Sequence, residues 1–350
     1  MNKHLKTYLL SVSTLLICSC AKNDMLVESS PEAGRQNIPI CFAGSNVDNA
    51  ATRHANRLCD HSSTMGVWGW YTDTKKNTTR AFNDQAVTYN PDSTRWEYNP
   101  LQYWHEGSQY YFCAYAPHQG KNDARVSIDS TTHMISIKGV TLHGHNLQCL
   151  PTDSVQELFR NTPDTDWMVA RAGQTATGKA GMDIEFMMQH ILAKLNIRIK
   201  ECEELAIRPY LSGITADSII VGNLPAHGDF AQQLTHTPIT SDPTEADIQE
   251  WAASDTTLFI KGTHACGVTV NPTYMVESLV IPHHIGPTST LTLYYSYHFK
   301  DGHTEECSYH MPLTEAFSRF VSGYNYTLTL IVCSAHIEFE AGASDWVREQ

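Results

Sequence analysis

The sequence predicts an all-β protein, two β-sandwich domains in series with one or two short helices. Three observations carry this. Apolar residues alternate with polar ones at period two in several separate stretches, the pattern of half-buried strands. Turn residues such as Asn90-Pro91-Asp92 and Asp301-Gly302 divide those stretches, as sandwich architectures require. The length of 350 residues, at roughly 150 per domain, makes about two domains.

Composition narrows the classes further. The chain is 41% hydrophobic and 10% aromatic but only 17% charged, against a usual charged fraction of about 25%, so it is not intrinsically disordered. With 24 basic and 37 acidic residues the net charge is −13, which repels phosphate; no nucleic-acid partner is expected. Beyond residue 20 no run approaches the roughly 20 apolar residues of a membrane span.

Taken in order, residues 1–20 read as an export signal, with Lys3 and Lys6 ahead of an apolar run from Tyr8 to Ile17. Ile17-Cys18-Ser19-Cys20 resembles the lipobox of bacterial lipoproteins, in which the thiol of Cys20 is acylated and several acyl chains together anchor the protein. Residues 21–36, polar and holding Pro31 and Gly34, read as a tether. The N-terminal sandwich is expected over residues 37–176. It starts with a short strand, Ile38, Ile40 and Phe42 on one face, and continues through the aromatic run from Trp68 to Tyr115. The Gly/Thr/Ala-rich stretch 172–181 is the expected junction.

The C-terminal sandwich is expected over residues 177–350. Ile191, Ala193, Leu195, Ile197 and Ile199 alternate with mostly polar neighbours, and Leu291 to Phe299 does the same. Leu328 and Leu330 sit between threonines, and Ile337 and Phe339 flank Glu338. Asp242-Pro243-Thr244-Glu245 offers an N-cap, a first-turn proline and a capping-box acid, predicting a helix to about Ala253. A second helix is expected over residues 155–160.

Chemistry is sparse. No nucleophile elbow, HExxH, P-loop or dinucleotide fingerprint is present, so no catalytic residue and no cofactor is expected. Without Cys18 and Cys20 eight cysteines remain, widely spaced and without a CxxC pair, so no zinc site is expected. His283 and His284 are adjacent and point to opposite faces of a strand. His143 and His145 share a face but have no acidic or Cys neighbour in sequence; no metal is expected. His190 reads as a hydrogen-bonded structural residue, and Asp164 and Asp166 as capping or solvating a turn. The aromatic run could stack on sugars in a lectin or fill a core, and core packing is the expectation.

These residues carry a resemblance. Gly66-Val67-Trp68-Gly69-Trp70, then Trp96-Glu97-Tyr98 with Tyr103-Trp104, then Tyr111-Phe112-Cys113-Ala114-Tyr115-Ala116-Pro117, are similar to segments of the fimbrillin family, the type V pilin subunits of Gram-negative anaerobes. Asp166 to Ala170, Phe186 to Leu195, Leu279 to Pro282, Gly323 to Thr327 and Phe339 to Trp346 follow in the family's order. The resemblance implies two transthyretin-like β-sandwich domains and no enzymatic activity. It implies an outer-membrane lipoprotein, held by its lipid anchor, whose first strand is removed by a cut after an arginine. The opened slot then accepts a strand from a neighbouring pilin subunit of the fimbrium. The matching arginine is Arg53, with Arg57 and Arg35 as weaker alternatives. Ile38, Ile40 and Phe42 would form the removable strand, and Ile337, Phe339 and Ala341 the candidate donor strand. A host protein or glycan is a further partner for adhesion. The rival function is a surface glycan-binding lipoprotein that never polymerises.

Overall fold

The computed structural model describes residues 38–346 apart from 44–45, 48–55, 121–122, 133, 145–163, 171–182, 207, 234–249, 256, 263–264 and 335. The expectations for residues 1–36, including Cys20 and Arg35, and those for Arg53, His145, the 155–160 helix and the 172–181 junction lie outside the described residues.

The fold is all-β. The first sheet runs in the order Asn56–Arg57, Asn46–Val47, Met187–His190, Met168–Ala170, Gln109–Ala116, Thr64–Thr72, Thr78–Asn90, Arg95–Glu97. Every pairing in it is antiparallel except that of Asn46–Val47 with Met187 and Met188. Its central strands bury both faces. Met65, Val67, Phe112 and Ala114 enter one core, while Trp68, Trp70, Cys113 and Tyr115 enter another. A strand buried on both faces needs apolar residues without a break, which is why Gln109–Ala116 reads Gln-Tyr-Tyr-Phe-Cys-Ala-Tyr-Ala.

A second sheet, Trp251–Ala253, His227–Gln233, Met134–Thr141 and Val126–Asp129 in that order, contributes Ile135, Ile137, Phe230 and Trp251 to the same core as Trp68 and Tyr115. It pairs a strand expected in the first domain, Met134–Thr141, with one expected in the second, His227–Gln233. Trp251–Ala253 corrects the expected helix at its C-terminal end; residues 242–249 lie outside the described residues. Tertiary contacts override the local signal there. The buried Trp251 indole donates to the Ile191 carbonyl at 3.0 Å, and its backbone pairs with Phe230.

The C-terminal sandwich faces two sheets. One runs Thr273–Val280, Ala193–Glu201, Tyr324–Val332, Ile337–Asp345; the other Thr257–Gly262, Leu211–Pro225, Thr290–Phe299, Thr304–Pro312. The alternation expected of Ala193–Glu201 holds: Leu195, Ile197 and Ile199 meet Leu328, Leu330, Ile219, Val221, Leu291 and Leu293 in one core. On the opposite face Asn196 and Asn325 are buried and share a 2.6 Å hydrogen bond. Ala193–Glu201 and Tyr324–Val332 are parallel, and the others in that sheet antiparallel. The described α-helix is the single turn Glu203–Ala206, which no sequence signal marked.

Candidate functional site

Residues 38–43 do not make a ladder. The expected strand is an extended segment with isolated bridges to Tyr103, Trp96 and Ile184. Its alternation nevertheless does what a period of two dictates. Ile40 and Phe42 are 1% and 3% exposed, and Ile38 packs half-buried on the same cluster. On one flank the Ile40 amide donates to the Gln102 carbonyl at 2.9 Å, and the Trp104 amide to the Ile38 carbonyl at 2.9 Å. On the other, the Ala43 amide donates to the Ile184 carbonyl at 2.9 Å and the Ile184 amide to the Cys41 carbonyl at 2.8 Å.

The slot around these side chains is aromatic. Phe42 stacks on Phe186 at 5.8 Å between centroids and meets Phe82 and Tyr98 edge-on at 5.6 and 5.5 Å. Phe112 closes the floor at 6.4 Å. The Tyr98 hydroxyl donates to the Ile40 carbonyl at 2.7 Å, and burial pushes that phenol up to about 12. It therefore stays a donor at any physiological pH. Tyr110, stacked on Phe112 and edge-on to Trp104, is likewise raised by burial, and its oxygen accepts from the His105 amide at 2.7 Å. Tyr115 on the opposite face is held above the usual tyrosine range, first by burial and then by the Asp84 carboxylate it bonds at 2.9 Å.

The aromatic run is therefore core, as expected. Trp68, Trp70, Trp96, Trp104, Tyr110 and Tyr115 are all buried, and only Tyr103, 40% exposed, offers an open ring from that set. Gly66 and Gly69 exist for the same reason. A Cβ on Gly66 would lie 2.1 Å from Tyr115 Cε1, and one on Gly69 2.8 Å from Phe112 Cδ1.

Beyond the slot, Asn46–Val47 pairs with Met187–Met188 and with Asn56–Arg57, so two described strands bracket the span that holds Arg53. Arg57 is exposed and bonds Asp60 at 3.3 Å, which raises its guanidinium above the ordinary value. At the other end of the chain, Ile337–Asp345 is the last strand of its sheet and pairs with Tyr324–Val332 over nine residues. Ile337 and Phe339 are half-buried against the core and Ala341 is exposed. The candidate donor strand thus sits in its own sheet, at an edge.

The polar residues singled out in the sequence find partners across long separations. His190, 3% exposed, bonds Asp166 at 2.9 Å and stacks on Trp346 at 4.0 Å, a hydrogen-bonded packing role as expected. Asp164 accepts from the His143 amide at 2.9 Å and lies 2.8 Å from its ring nitrogen; His143 does have an acidic partner, brought in by the fold from 21 residues away. His283 bonds the Ile281 carbonyl at 2.7 Å, and burial lowers it, with His284 adding to the effect. Two groups with metal-ligand chemistry occur among the described residues: His61, Asp166 and His190; and Cys333, His336 and Glu338. Neither grouping was marked in the sequence, where His190 and Asp166 stood only as separate structural residues. The second has a legible spacing, Cys-x-x-His-x-Glu.

No curated protein matches the chain. Among solved structures, a candidate cell adhesion protein from Bacteroides ovatus aligns with a TM-score of 0.53 and 14% identity, covering 90% of this chain and all of that one. A candidate cell adhesion protein from Bacteroides uniformis aligns at TM-score 0.45 and 15% identity, again over 90% of this chain and 100% of its own. The tip fimbrial protein Mfa3 of Porphyromonas gingivalis aligns at 0.37 and 11%, over 88% and 100%. At such identity the likeness to the first speaks to the fold. The sequence itself matches the fimbrillin-like family model over residues 52–346, nearly its whole length, and the chain belongs to the fimbrillin-like family.

Proposed function

We propose that this protein is a subunit of a surface pilus, exported as an outer-membrane lipoprotein through Cys20 and assembled by strand exchange. In this reading a cut after Arg53 releases residues 38–43, and a strand from a neighbouring subunit takes their place. Ile337, Phe339 and Ala341 are the candidate donors, being an alternating set on a strand that needs to leave only one neighbour.

One observation carries the reading. Residues 38–43 plug an aromatic slot with the buried side chains of Ile40 and Phe42, yet are held by isolated bridges rather than by a continuous ladder. Such a plug is separable from the domain it completes. Its two or three large side chains contribute about 3–9 kcal/mol at roughly 1.5–3 kcal/mol each. Without it, Phe82, Phe112 and Phe186 would line an exposed apolar slot between unpaired backbone flanks, a surface that favours association. An incoming strand would gain backbone pairing on both flanks and fill the slot with alternate side chains.

The test compares the chain starting at His54 with the chain starting at Ile38 by light scattering. The shorter chain is expected to form ladders and the longer one to stay monomeric. Adding a peptide of residues 37–45 should cap the shorter chain, and the same peptide with Phe42→Asp should not. If the shorter chain remains monomeric and binds neither peptide, assembly by strand exchange is excluded.

A further inference from the structure

The turn that joins the last two strands gathers three different metal-ligating groups. One ligand atom each from Cys333, His336 and Glu338 lies within 4.8 Å of the others, and His336 Nε2 is 2.9 Å from Glu338 Oε1. The backbone sets this up. The Cys333 amide donates to the His336 carbonyl at 3.0 Å, closing a tight loop that brings the two side chains together at the head of Ile337–Asp345.

A fourth group comes from elsewhere in the chain. Ala193–Glu201 runs parallel to Tyr324–Val332 with Glu201 opposite Val332, and the Cys202 amide continues the ladder by donating to the Val332 carbonyl at 3.0 Å. Cys202 is therefore the cross-strand neighbour of Cys333. Glu204, on the helical turn just after, adds negative charge beside the pair. Two thiols, an imidazole and a carboxylate are the donor set of a borderline-soft divalent ion, and tetrahedral Zn²⁺ is the ion that accepts all three types.

We propose that Cys202, Cys333, His336 and Glu338 form a Zn²⁺-class metal site at the root of the C-terminal strand. With bonds of about 2.0–2.3 Å to N, O and S, tetrahedral ligand atoms stand roughly 3.3–3.8 Å apart. The ligand atoms of Cys333, His336 and Glu338 already lie within 4.8 Å of one another, and the register sets Cys202 beside Cys333. Binding replaces each S–H with an S–metal bond and releases the thiol proton to solvent, so affinity rises with pH. The site ties the start of Ile337–Asp345 to the end of Ala193–Glu201, two segments that are neighbours in space and far apart in sequence.

The probe is Co²⁺, added to the reduced, chelator-stripped full chain and followed by absorbance. One equivalent should give a sulfur-to-cobalt charge-transfer band in the near ultraviolet with tetrahedral d–d bands, both abolished by equimolar Zn²⁺. Cys333→Ser and Cys202→Ser should each lower the charge-transfer band by about half, and the double variant should remove it. His336 and Glu338 are 60% and 59% exposed, so His336→Ala and Glu338→Gln leave folding intact and read the site even where a cysteine variant misfolds. Each should weaken Co²⁺ binding by more than the roughly 10–100-fold loss expected for an outer-sphere partner. The proposal is overturned by no band at one equivalent, by a band unchanged in His336→Ala and Glu338→Gln, or by a Cys202–Cys333 disulfide in protein isolated without reductant.

Discussion

Replacing Phe42 with alanine removes the ring that four aromatic neighbours enclose, and its cost can be worked from that enclosure. Truncating a buried phenylalanine costs about 3–5 kcal/mol, the transfer term plus the cavity it leaves. The slot walls belong to ladder-paired strands at Phe82 and Phe112, so they cannot collapse onto the gap, and the upper half of the range applies. At 1.4 kcal/mol per factor of ten, the docking equilibrium of residues 38–43 shifts by about three to nearly four orders of magnitude. Amide hydrogen exchange reads this locally. Ile40, Ala43 and Ile184 donate three of the segment's backbone bonds and should lose protection by that factor. The amides of Ala193–Glu201, in another core, serve as the reference and should keep theirs. If protection at Ile40 and Ala43 falls by less than about tenfold, the segment is not held by Phe42 and the plug argument is wrong.

Three further outcomes follow from the same geometry. Tyr98→Phe deletes the donor to the Ile40 carbonyl and should cost about 0.5–1.5 kcal/mol, seen as up to roughly tenfold faster exchange at Ile40; no change would show that bond to be idle. Gly66→Ala forces a methyl into Tyr115, whose ring is stacked on Trp68 at 5.0 Å and tied to Asp84, so a loss of about 1–3 kcal/mol or more is expected in the denaturation midpoint. An unchanged midpoint would mean that the ring has room the packing denies. His283 has a folded pKa depressed by burial, so its contribution is complete above about 6.5, where both states are neutral, and is lost as pH falls from there toward the folded value. Stability should therefore decline on acidification, and His283→Asn should flatten that decline; an identical pH slope in the variant refutes the assignment.

How legible was all this in the sequence? Period two is a local property, and where a strand has one buried face it was read correctly, as in Ala193–Glu201 and Thr290–Phe299. Ile38, Ile40 and Phe42 were placed on one face by the same logic, and the structure buries that face. What alternation cannot say is whether a neighbour offers a ladder or only isolated bridges. The slot was half visible: Trp96, Tyr98, Trp104 and Phe186 stood in the motifs, but nothing local shows that they gather around residues 38–42. The helix expected to end at Ala253 failed there because a capping box is a short-range signal, and Trp251 has a tertiary place to fill. His143 and Asp164 show the limit most plainly, since neither neighbourhood hints at the other. Cys333-x-x-His336 was readable as a ligand spacing; Cys202 became its companion only through a parallel register that sequence does not encode locally.

That parallel register has a kinetic side. Asn196 and Asn325 bond each other from 129 residues apart, and the Ser322 hydroxyl reaches back 131 residues to the Ile191 carbonyl. A chain emerging from its N-terminus must therefore deliver nearly all of itself before Ala193–Glu201 finds its central partner. Contacts of such sequence separation require loop closure before they give anything back, and they slow folding. Meanwhile Leu195, Ile197 and Ile199 wait exposed on a strand with at least one open edge, the kind of segment through which incomplete chains associate wrongly. Substitutions that disturb Tyr324–Val332 should accordingly lower the yield of folded protein more than they lower the stability of what does fold.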